Sequence, residues 1–212
     1  MSASREVIGE LARLGSATVY EASGRRGLVD ADLRQLIPGS RACGPARTVA
    51  CGQDDNLMVH AAMASLQPGE VLVLTMPEPS ATALIGDLLV TQARARGAVA
   101  ILNDAAVRDS EELVAMGVPV WTRWVRCRGA TKTIVGALDV PVVVGGQQIS
   151  PGDLVVLDAD GVTVVAAARA ADVLEASLAR EEKERVKRAR LQGGELSYEI
   201  DGLRAVVERG DQ

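Results

Sequence analysis

The chain has 212 residues, enough for one domain with its own hydrophobic core. Hydrophobic residues make up 48% of it, but aromatic residues only 2%, which argues against a protein that stacks single-stranded nucleic acid on exposed rings. The net charge of −5 gives no reason to expect a polyanionic partner.

The first half of the chain predicts alternating helices and strands. Apolar spacing and helix-ending glycines set the helices, and short apolar runs set the strands. The polar segment 103–109 reads as a loop, as does most of the stretch from Gly24 to Gly44. The predicted elements are a helix over 5–14, a strand over 46–51, a helix over 56–66, a strand over 71–75, a helix over 85–96 and a strand over 99–102.

The second half predicts short strands separated by Gly and Pro turns, followed by one long helix. That helix carries a charged block at 180–185, which either is a solvated face or contacts another subunit. We therefore predict a single α/β catalytic domain over residues 1–169 and a C-terminal helix and tail over 170–212. The predicted elements are strands over 118–121, 133–136, 141–144, 154–157 and 162–166 and a helix over 170–191.

The cysteines and the lack of long apolar segments indicate the compartment. Cys43, Cys51 and Cys127 are odd in number and widely spaced, so they predict neither a closed disulfide set nor a zinc site. We expect them to be reduced, packed thiols. Because no apolar run has the length of a signal peptide or a membrane span, we expect a cytoplasmic protein that binds no membrane.

Two segments separated in the chain are predicted to share one pocket. Twenty residues separate Asp87 from the pair Arg108-Asp109. A helix of about ten residues advances ~15 Å, and five or six strand residues return the chain by ~16–20 Å. The residues after the strand therefore come back beside the start of the helix, where Gly86, Asp87, Leu88 and Leu89 lie.

The residue types at this pocket favour a small anionic ligand and a divalent cation. The start of a helix offers unpaired N–H groups that suit a carboxylate. Arg108 can bind a carboxylate or enolate oxygen with its planar fork. Asp109 is a hard oxygen ligand, suited to Mg²⁺ or Mn²⁺. The pattern predicts a site for a small 2-oxo acid on a metal ion.

Around these residues the chain resembles the 4-hydroxy-4-methyl-2-oxoglutarate / 4-carboxy-4-hydroxy-2-oxoadipate aldolases, a family related in fold to regulator of ribonuclease activity A. The likeness extends from about Thr18 to Arg204. It is carried by TVYEA at 18–22, GPARTV at 44–49, GDLL at 86–89, RGAVAILNDAAVRD at 96–109, VPV at 118–120 and PGDLVVLDADGV at 151–162.

The resemblance implies a four-layer α/β/β/α swivelling-type domain with a C-terminal helical arm, assembled as homotrimers or homohexamers with sites between subunits. It implies that Arg108 binds substrate, that Asp109 binds the metal, and that the backbone of residues 86–89 binds the pyruvate carboxylate. Tyr20 stands where many relatives have His or Asp. The family also places acidic side chains of the adjacent subunit in the site, and the matching regions here hold Glu21, Glu181, Glu182 and Glu184.

The implied activity is that of a class II pyruvate aldolase, which cleaves 4-hydroxy-2-oxo acids to pyruvate and a second oxo acid and decarboxylates oxaloacetate. The alternative is a non-enzymatic regulator that binds a ribonuclease. That branch typically lacks the Asp after the Arg and ends soon after the sheet, whereas this chain has Asp109 and a C-terminal arm. A methyltransferase is disfavoured because no strand–GxGxG–helix unit is present.

Five further residues have two possible readings each. His60 lies in an apolar helical stretch, where we expect it to be packed rather than catalytic. Lys132 precedes the C-terminal arm as the one candidate for a Schiff base, but we expect it away from the pocket. Arg123, Arg126 and Arg128 either bind a second substrate carboxylate or face water.

Overall fold

The computed structural model describes residues 3–210. Its helices are α1 (Arg5–Leu14), α2 (Ser16–Ala22), α3 (Leu57–Ser65), α4 (Asp87–Ala95), α5 (Ser110–Met116), α6 (Ala170–Gln192), α7 (Ser197–Ile200) and α8 (Leu203–Arg209). Its strands are β1 (Arg34–Gln35), β2 (Ala42–Ala50), β3 (Val71–Thr75), β4 (Ala83–Ile85), β5 (Ala100–Val107), β6 (Val120–Val125), β7 (Ala137–Leu138), β8 (Val142–Val144), β9 (Gln147–Ile149), β10 (Leu154–Asp158) and β11 (Gly161–Val165).

The main sheet is a curled, mixed sheet in the order β1-β6-β5-β3-β2-β10-β11. Strands β2, β3, β5 and β6 pair in parallel, and short β4 joins β5, also in parallel. The outer strands β1, β10 and β11 are antiparallel to their neighbours, and β8 and β9 form a separate hairpin. The parallel centre places the carboxyl ends of β4, β5 and β6 at one edge.

Successive side chains of each strand face opposite sides of the sheet, so the core consists of three hydrophobic clusters. Leu72 and Leu74 of β3 pack with α3, α4 and α5, while Val71 and Val73 face the inner cluster between the two halves of the curled sheet. On β10 the inner cluster takes alternate residues, and the others pack against α1, α2 and α6. Each fully buried Val or Leu side chain contributes about 1.5–3 kcal/mol. The order helices, sheet, sheet, helices confirms the expected four-layer α/β/β/α fold.

The prediction of a loop over 103–109 is wrong for most of that segment, because β5 continues to Val107. Two buried polar side chains in it find partners on β6. Asn103 Nδ2 donates to Thr122 Oγ1 at 3.1 Å, and the Asp104 carboxylate lies 2.5 Å from Arg123 Nε. Burial raises the pKa of Asp104 against the opposing effect of Arg123. Long-range partners therefore allow polar residues to occupy a fully buried strand.

The predicted strand over 133–136 is also wrong. Ile134 and Val135 are 45% and 78% exposed. The strand that follows them, β7, begins only at Ala137. The apolar residues there face solvent rather than a second sheet layer. The Gly24–Gly44 stretch is mainly loop, as predicted, but contains β1 and the first residues of β2. Strands β4 and β9 were not predicted, since each has only three residues.

The long C-terminal helix is predicted to within one residue at its end, but its first turns belong to this chain's own core. Ala170, Val173 and Ser177 recur at helical spacing and are buried, and α6 packs on α1 and α2. Beyond them the arm is mostly exposed and folds back through ion pairs such as Lys187–Asp201. Between residues 3 and 210, no helix has the length and apolar character needed to cross a membrane.

Candidate functional site

Three segments of the chain meet on the short strand β4. Strand β5 pairs with one of its edges, and on the other edge the N–H of Ala83 donates to the carbonyl of Arg128 at 2.7 Å. From α3, Asn56 Nδ2 donates to the carbonyl of Leu84 at 2.9 Å. Gly86 follows β4 and Arg108 follows β5, so both emerge at the same edge of the sheet. The loop 126–136, between β6 and β7, runs alongside them.

Gly86 permits a close approach between the start of α4 and Asp109. The Asp109 carboxylate oxygen Oδ2 accepts the N–H of Asp87, the first residue of α4, at 3.1 Å. A Cβ atom at Gly86 would lie only 2.3 Å from that same oxygen. Gly86 itself has an extended backbone that any residue adopts, so the glycine is needed for space rather than for conformation. The structure thus brings residues 86–89 and 108–109 together.

A cavity of about 150 Å³ opens at this point, and we call it the Gly86 cavity. The backbone of residues 83–89 forms one wall and Arg108 another. The N–H groups of Leu88 and Leu89 lie in the first turn of α4, where a helix supplies no acceptor of its own. The other lining residues are Asn56, His60, Ala130 and Lys132.

Asn56 places an unpartnered acceptor at the cavity wall. The residue is only 7% exposed, and the carbonyl of Leu84 fixes the orientation of its amide group. Within the described part of the chain its Oδ1 atom has no hydrogen-bond donor. Leaving such a buried atom without a partner costs about 1–3 kcal/mol. A ligand or water molecule with a donor group satisfies it.

His60 and Lys132 also line the Gly86 cavity, and both predictions about them are wrong. His60 is exposed rather than packed, and since it lies one turn after Asn56 the two side chains line the same wall. Lys132 reaches the cavity because the loop 126–136 is attached to β4. Desolvation, and then the charge of Lys132, lower the pKa of His60. The four-residue spacing of Asn56 and His60 was the sequence signal for this wall.

Arg108 separates the Gly86 cavity from a second, open depression of about 400 Å³, the Asp109 cavity. Val125, Arg126 and Cys127 line this second cavity together with Asp109. Arg108 Nε lies 3.5 Å from Asp109 Oδ2, and the two side chains are 49% and 33% exposed. An ion pair this exposed contributes at most about 1 kcal/mol, so the guanidinium is available to an anionic ligand.

The family resemblance suggests that four acids reach the site of an adjacent subunit. In this structure they lie on the helical layer opposite the one that contains α4. They belong to α2 and α6, which pack on the outer face of β10 and β11. Within one chain the structure does not bring them to Arg108. Each is paired with arginine: Glu21 with Arg25 and Arg180, Glu181 with Arg13, Glu182 with Arg185, and Glu184 with Arg180.

The three arginines of the β6 region have different positions. Arg123 is mostly buried and pairs with Asp104, so the prediction that it faces water is wrong for this residue. Arg126 and Arg128 are exposed, and Arg126 lines the Asp109 cavity. Of the cysteines, Cys43 and Cys51 are buried as expected, whereas Cys127 is exposed.

The donor set for a metal ion is small within one chain. No group of three or more His, Cys, Asp or Glu in residues 3–210 is placed to hold a metal. Asp109 offers one partly exposed carboxylate, with one oxygen engaged by the N–H of Asp87. This fits a hard cation that takes most of its ligands from water and substrate, as Mg²⁺ does.

Comparison with known families identifies the family to which the chain belongs. The family model described as RraA-like, Aldolase/RraA, matches residues 16–164, well over half of the sequence. The chain belongs to the RraA-like family. It is 31% identical over 177 residues to a Halalkalibacterium halodurans protein named "Putative 4-hydroxy-4-methyl-2-oxoglutarate aldolase", covering 84% of this chain and 82% of that protein.

Two solved structures share the fold described above. Streptomyces coelicolor RraAS2, described as an unusual member of the RNase ES inhibitor RraA protein family, is 31% identical with a TM-score of 0.78. The alignment covers 89% of this chain and 98% of that one. An uncharacterized Pseudomonas syringae protein is 27% identical with a TM-score of 0.81, covering 92% and 96%.

We predict that Gly86→Ala disrupts the site while leaving the fold intact. The new methyl group displaces the Asp109 carboxylate, which is the end of a movable side chain, and breaks its hydrogen bond to Asp87. Turnover should fall by at least about tenfold, since small displacements of reacting groups are costly, and the melting temperature should change little.

Gly9→Ala is the matched control for this prediction. A Cβ at Gly9, within α1, meets no atom within 4 Å, so this variant should keep both stability and turnover. Thermal melts and steady-state kinetics of the two variants provide the measurement. Normal turnover in folded Gly86→Ala would show that the contact between Gly86 and Asp109 has no functional importance.

Proposed function

We propose that this RraA-like protein is a class II, divalent-metal-dependent pyruvate aldolase. Its substrates are 4-hydroxy-2-oxo acids such as 4-hydroxy-4-methyl-2-oxoglutarate or 4-carboxy-4-hydroxy-2-oxoadipate, cleaved to pyruvate and a second oxo acid, and it also decarboxylates oxaloacetate. The observation that carries the proposal is the Gly86 cavity, where the first turn of α4 and Arg108 line one small space. The name of the Halalkalibacterium relative supports the same activity.

The size and polarity of the cavity favour a small acid. A cavity of about 150 Å³ is small beside typical ligand sites of proteins, which suits a small acid. The N–H groups of Leu88 and Leu89 and the positive end of the helix bind the 1-carboxylate. Lys132 adds a second positive charge on the opposite wall, which suits the distal carboxylate of an oxo diacid.

Arg108 acts on the charge that develops during cleavage. Its guanidinium donates to the 2-oxo oxygen as negative charge builds on it, and this stabilisation is a large catalytic contribution. Asp109 would hold Mg²⁺ or Mn²⁺. When bound, such a cation polarises the carbonyl group and makes its bound water more acidic. The unpartnered Oδ1 of Asn56 accepts a hydrogen bond from the 4-hydroxyl of the substrate.

A ribonuclease-binding regulator is the second candidate, because Streptomyces coelicolor RraAS2 is described within an RNase inhibitor family. Such a role needs an exposed protein-binding surface and no turnover. An assay of pyruvate release separates the two candidates, since a regulator releases no pyruvate from any substrate.

We predict pyruvate release that depends on a divalent cation. Purified protein is assayed with oxaloacetate and a panel of 4-hydroxy-2-oxo mono- and diacids, with added Mg²⁺ or Mn²⁺ and in excess EDTA. Activity should be lost in EDTA and return with either cation, with diacids preferred because of Lys132. Full activity in EDTA, or substrate-dependent borohydride trapping at Lys132, would instead indicate a Schiff-base enzyme.

We predict that Asp109→Asn and Arg108→Lys impair catalysis in different ways. The Asn side chain lacks the charge that attracts a cation. The loss of activity in Asp109→Asn should therefore be partly rescued by raising the metal concentration. The Lys side chain lacks the planar fork, so its deficit of roughly 10²–10³ in kcat should persist at saturating metal.

Steady-state kinetics of both variants across a metal titration, with circular dichroism as the folding control, give the measurement. Arg126→Lys is a matched arginine control, because Arg126 lies beside the Asp109 cavity but outside the Gly86 cavity. A folded Arg108→Lys variant with near-normal kcat/KM at limiting metal would remove Arg108 from the reacting centre.

We further propose a homotrimer or homohexamer in which an acid of one subunit reaches the site of the next. In one chain Glu21 and the α6 glutamates lie on the layer opposite Arg108, so only a second copy can bring them there. We predict a mass of three or six chains by light scattering. A monomer with full turnover would contradict shared sites.

A further inference from the structure

The most extensively hydrogen-bonded carboxylate near the site is Asp55, which does not line either cavity. Asp55 is 0% exposed and lies directly before Asn56 at the start of α3. Its Oδ1 accepts the N–H of Leu57 at 2.9 Å. Burial acts to raise the pKa of Asp55, and the hydrogen bonds from Thr133, Thr131 and other groups outweigh it, so the pKa is lowered and the group is a carboxylate.

The other oxygen of Asp55 binds the loop 126–136 on both sides of Lys132. Oδ2 accepts the hydroxyl of Thr131 at 2.7 Å, the N–H of Thr133 at 2.6 Å and the N–H of Ile134 at 3.1 Å. The backbone adds a further contact, since the N–H of Asn56 donates to the carbonyl of Thr131 at 2.9 Å. Lys132 is therefore bracketed by residues that one buried carboxylate holds.

Apart from Asp55, this segment is held by backbone hydrogen bonds of Thr131 to Asp54 and Asn56. The loop has no helix or strand, and from Thr131 to Gly136 its residues are exposed to solvent. A lysine side chain has many rotamers, so only a fixed backbone keeps its ammonium group near one wall of a cavity. The charge of Lys132 lowers the pKa of His60, which places that charge near His60 at the cavity.

We propose that Asp55 is a positioning residue that holds Lys132 at the Gly86 cavity by fixing the loop 126–136. The inference rests on the proposed function for the role of Lys132, but not for the existence of the clamp. Asp55→Asn tests it, because one oxygen becomes an NH₂ group and a donor then faces the donors of either Leu57 or Thr133 and Ile134.

The experiment combines amide hydrogen exchange with a double-mutant cycle. Exchange of the Thr133 and Ile134 amides should be slow in the wild type and at least about tenfold faster in Asp55→Asn, as their acceptor is lost, whereas the Thr131 amide, bonded to Asp54, should change less. The kcat/KM for pyruvate release from oxaloacetate should fall about tenfold on Asp55→Asn. In a Lys132→Met background the same change should cost less than about threefold, since residues that act through one another are not additive.

Two controls keep the test decisive. Asp153→Asn removes a carboxylate that also holds a turn, through the N–H groups of Ser150 and Ala167, but lies away from the cavity and should leave kcat/KM unchanged. If Asp55→Asn does not fold, Thr131→Val removes only the hydroxyl donor at 2.7 Å and enters the same cycle with a smaller expected effect.

Equal fold losses in the wild-type and Lys132→Met backgrounds would overturn the positioning role, and unchanged exchange in folded Asp55→Asn would overturn the clamp itself. A wild-type protein that releases no pyruvate would refute the proposed function. Faster exchange in the Asp55→Asn variant of such a protein would still support the clamp.

Discussion

Backbone hydrogen bonds around the three-residue strand β4 hold the candidate site together. The carbonyl of Ile85 accepts the N–H of Arg108 at 3.1 Å, and the N–H of Ala83 donates to Arg128 on the other edge. The side chain of Asn56 is attached to the same strand. Helix α4, the end of β5, the loop 126–136 and the start of α3 are thus all fixed relative to one short segment. Because Asn56 and strand β4 are buried, breaking one of these bonds leaves a buried polar group without its partner, which is costly.

Positive charge is concentrated on the walls of the Gly86 cavity. Arg108, Lys132 and the positive end of α4 lie there together with one acid, Asp87, and the Asp109 carboxylate beside Arg108 is partly exposed. Desolvation lowers the pKa of His60, and the charge of Lys132 lowers it further, since a proton on His60 would add charge beside Lys132. Such an arrangement is more stable with an anion bound than without one, which accounts for selectivity toward acids without any large apolar contact.

Sequence patterns predicted the elements whose information is local. The helices at 5–14 and 170–191 follow apolar spacing, and the meeting of residues 86–89 with Arg108 follows from the lengths of one helix and one strand. The patterns failed where distant partners decide. Asn103 lies in a buried strand, where its Nδ2 donates to the carbonyl of Ala106 on the same strand and to Thr122 on β6. The apolar run at Ile134 resembles a strand, but the carboxylate of Asp55, distant in sequence, binds its backbone N–H within a loop.

The cavity wall formed by α3 and the loop 126–136 was missed for the same reason. Apart from Ala130, the other lining residues of the Gly86 cavity are distant from Lys132 in sequence, and its approach depends on a three-residue strand that carries no periodic signal. His60 sits among apolar neighbours, which normally indicates burial. The family resemblance gave the general fold and the central pair, whereas the remaining lining residues required the long-range pairing that only the structure provides.

The distribution of the three thiols makes the protein suitable for site-directed labelling without any engineering. Burial raises the pKa of Cys43 and of Cys51 to about 12, so both are protonated and shielded at neutral pH. Cys127 is exposed at the rim of the Asp109 cavity, beside Arg108. A maleimide fluorophore therefore attaches at one native position, adjacent to the groups that receive an anionic ligand, and its emission can follow ligand arrival in real time.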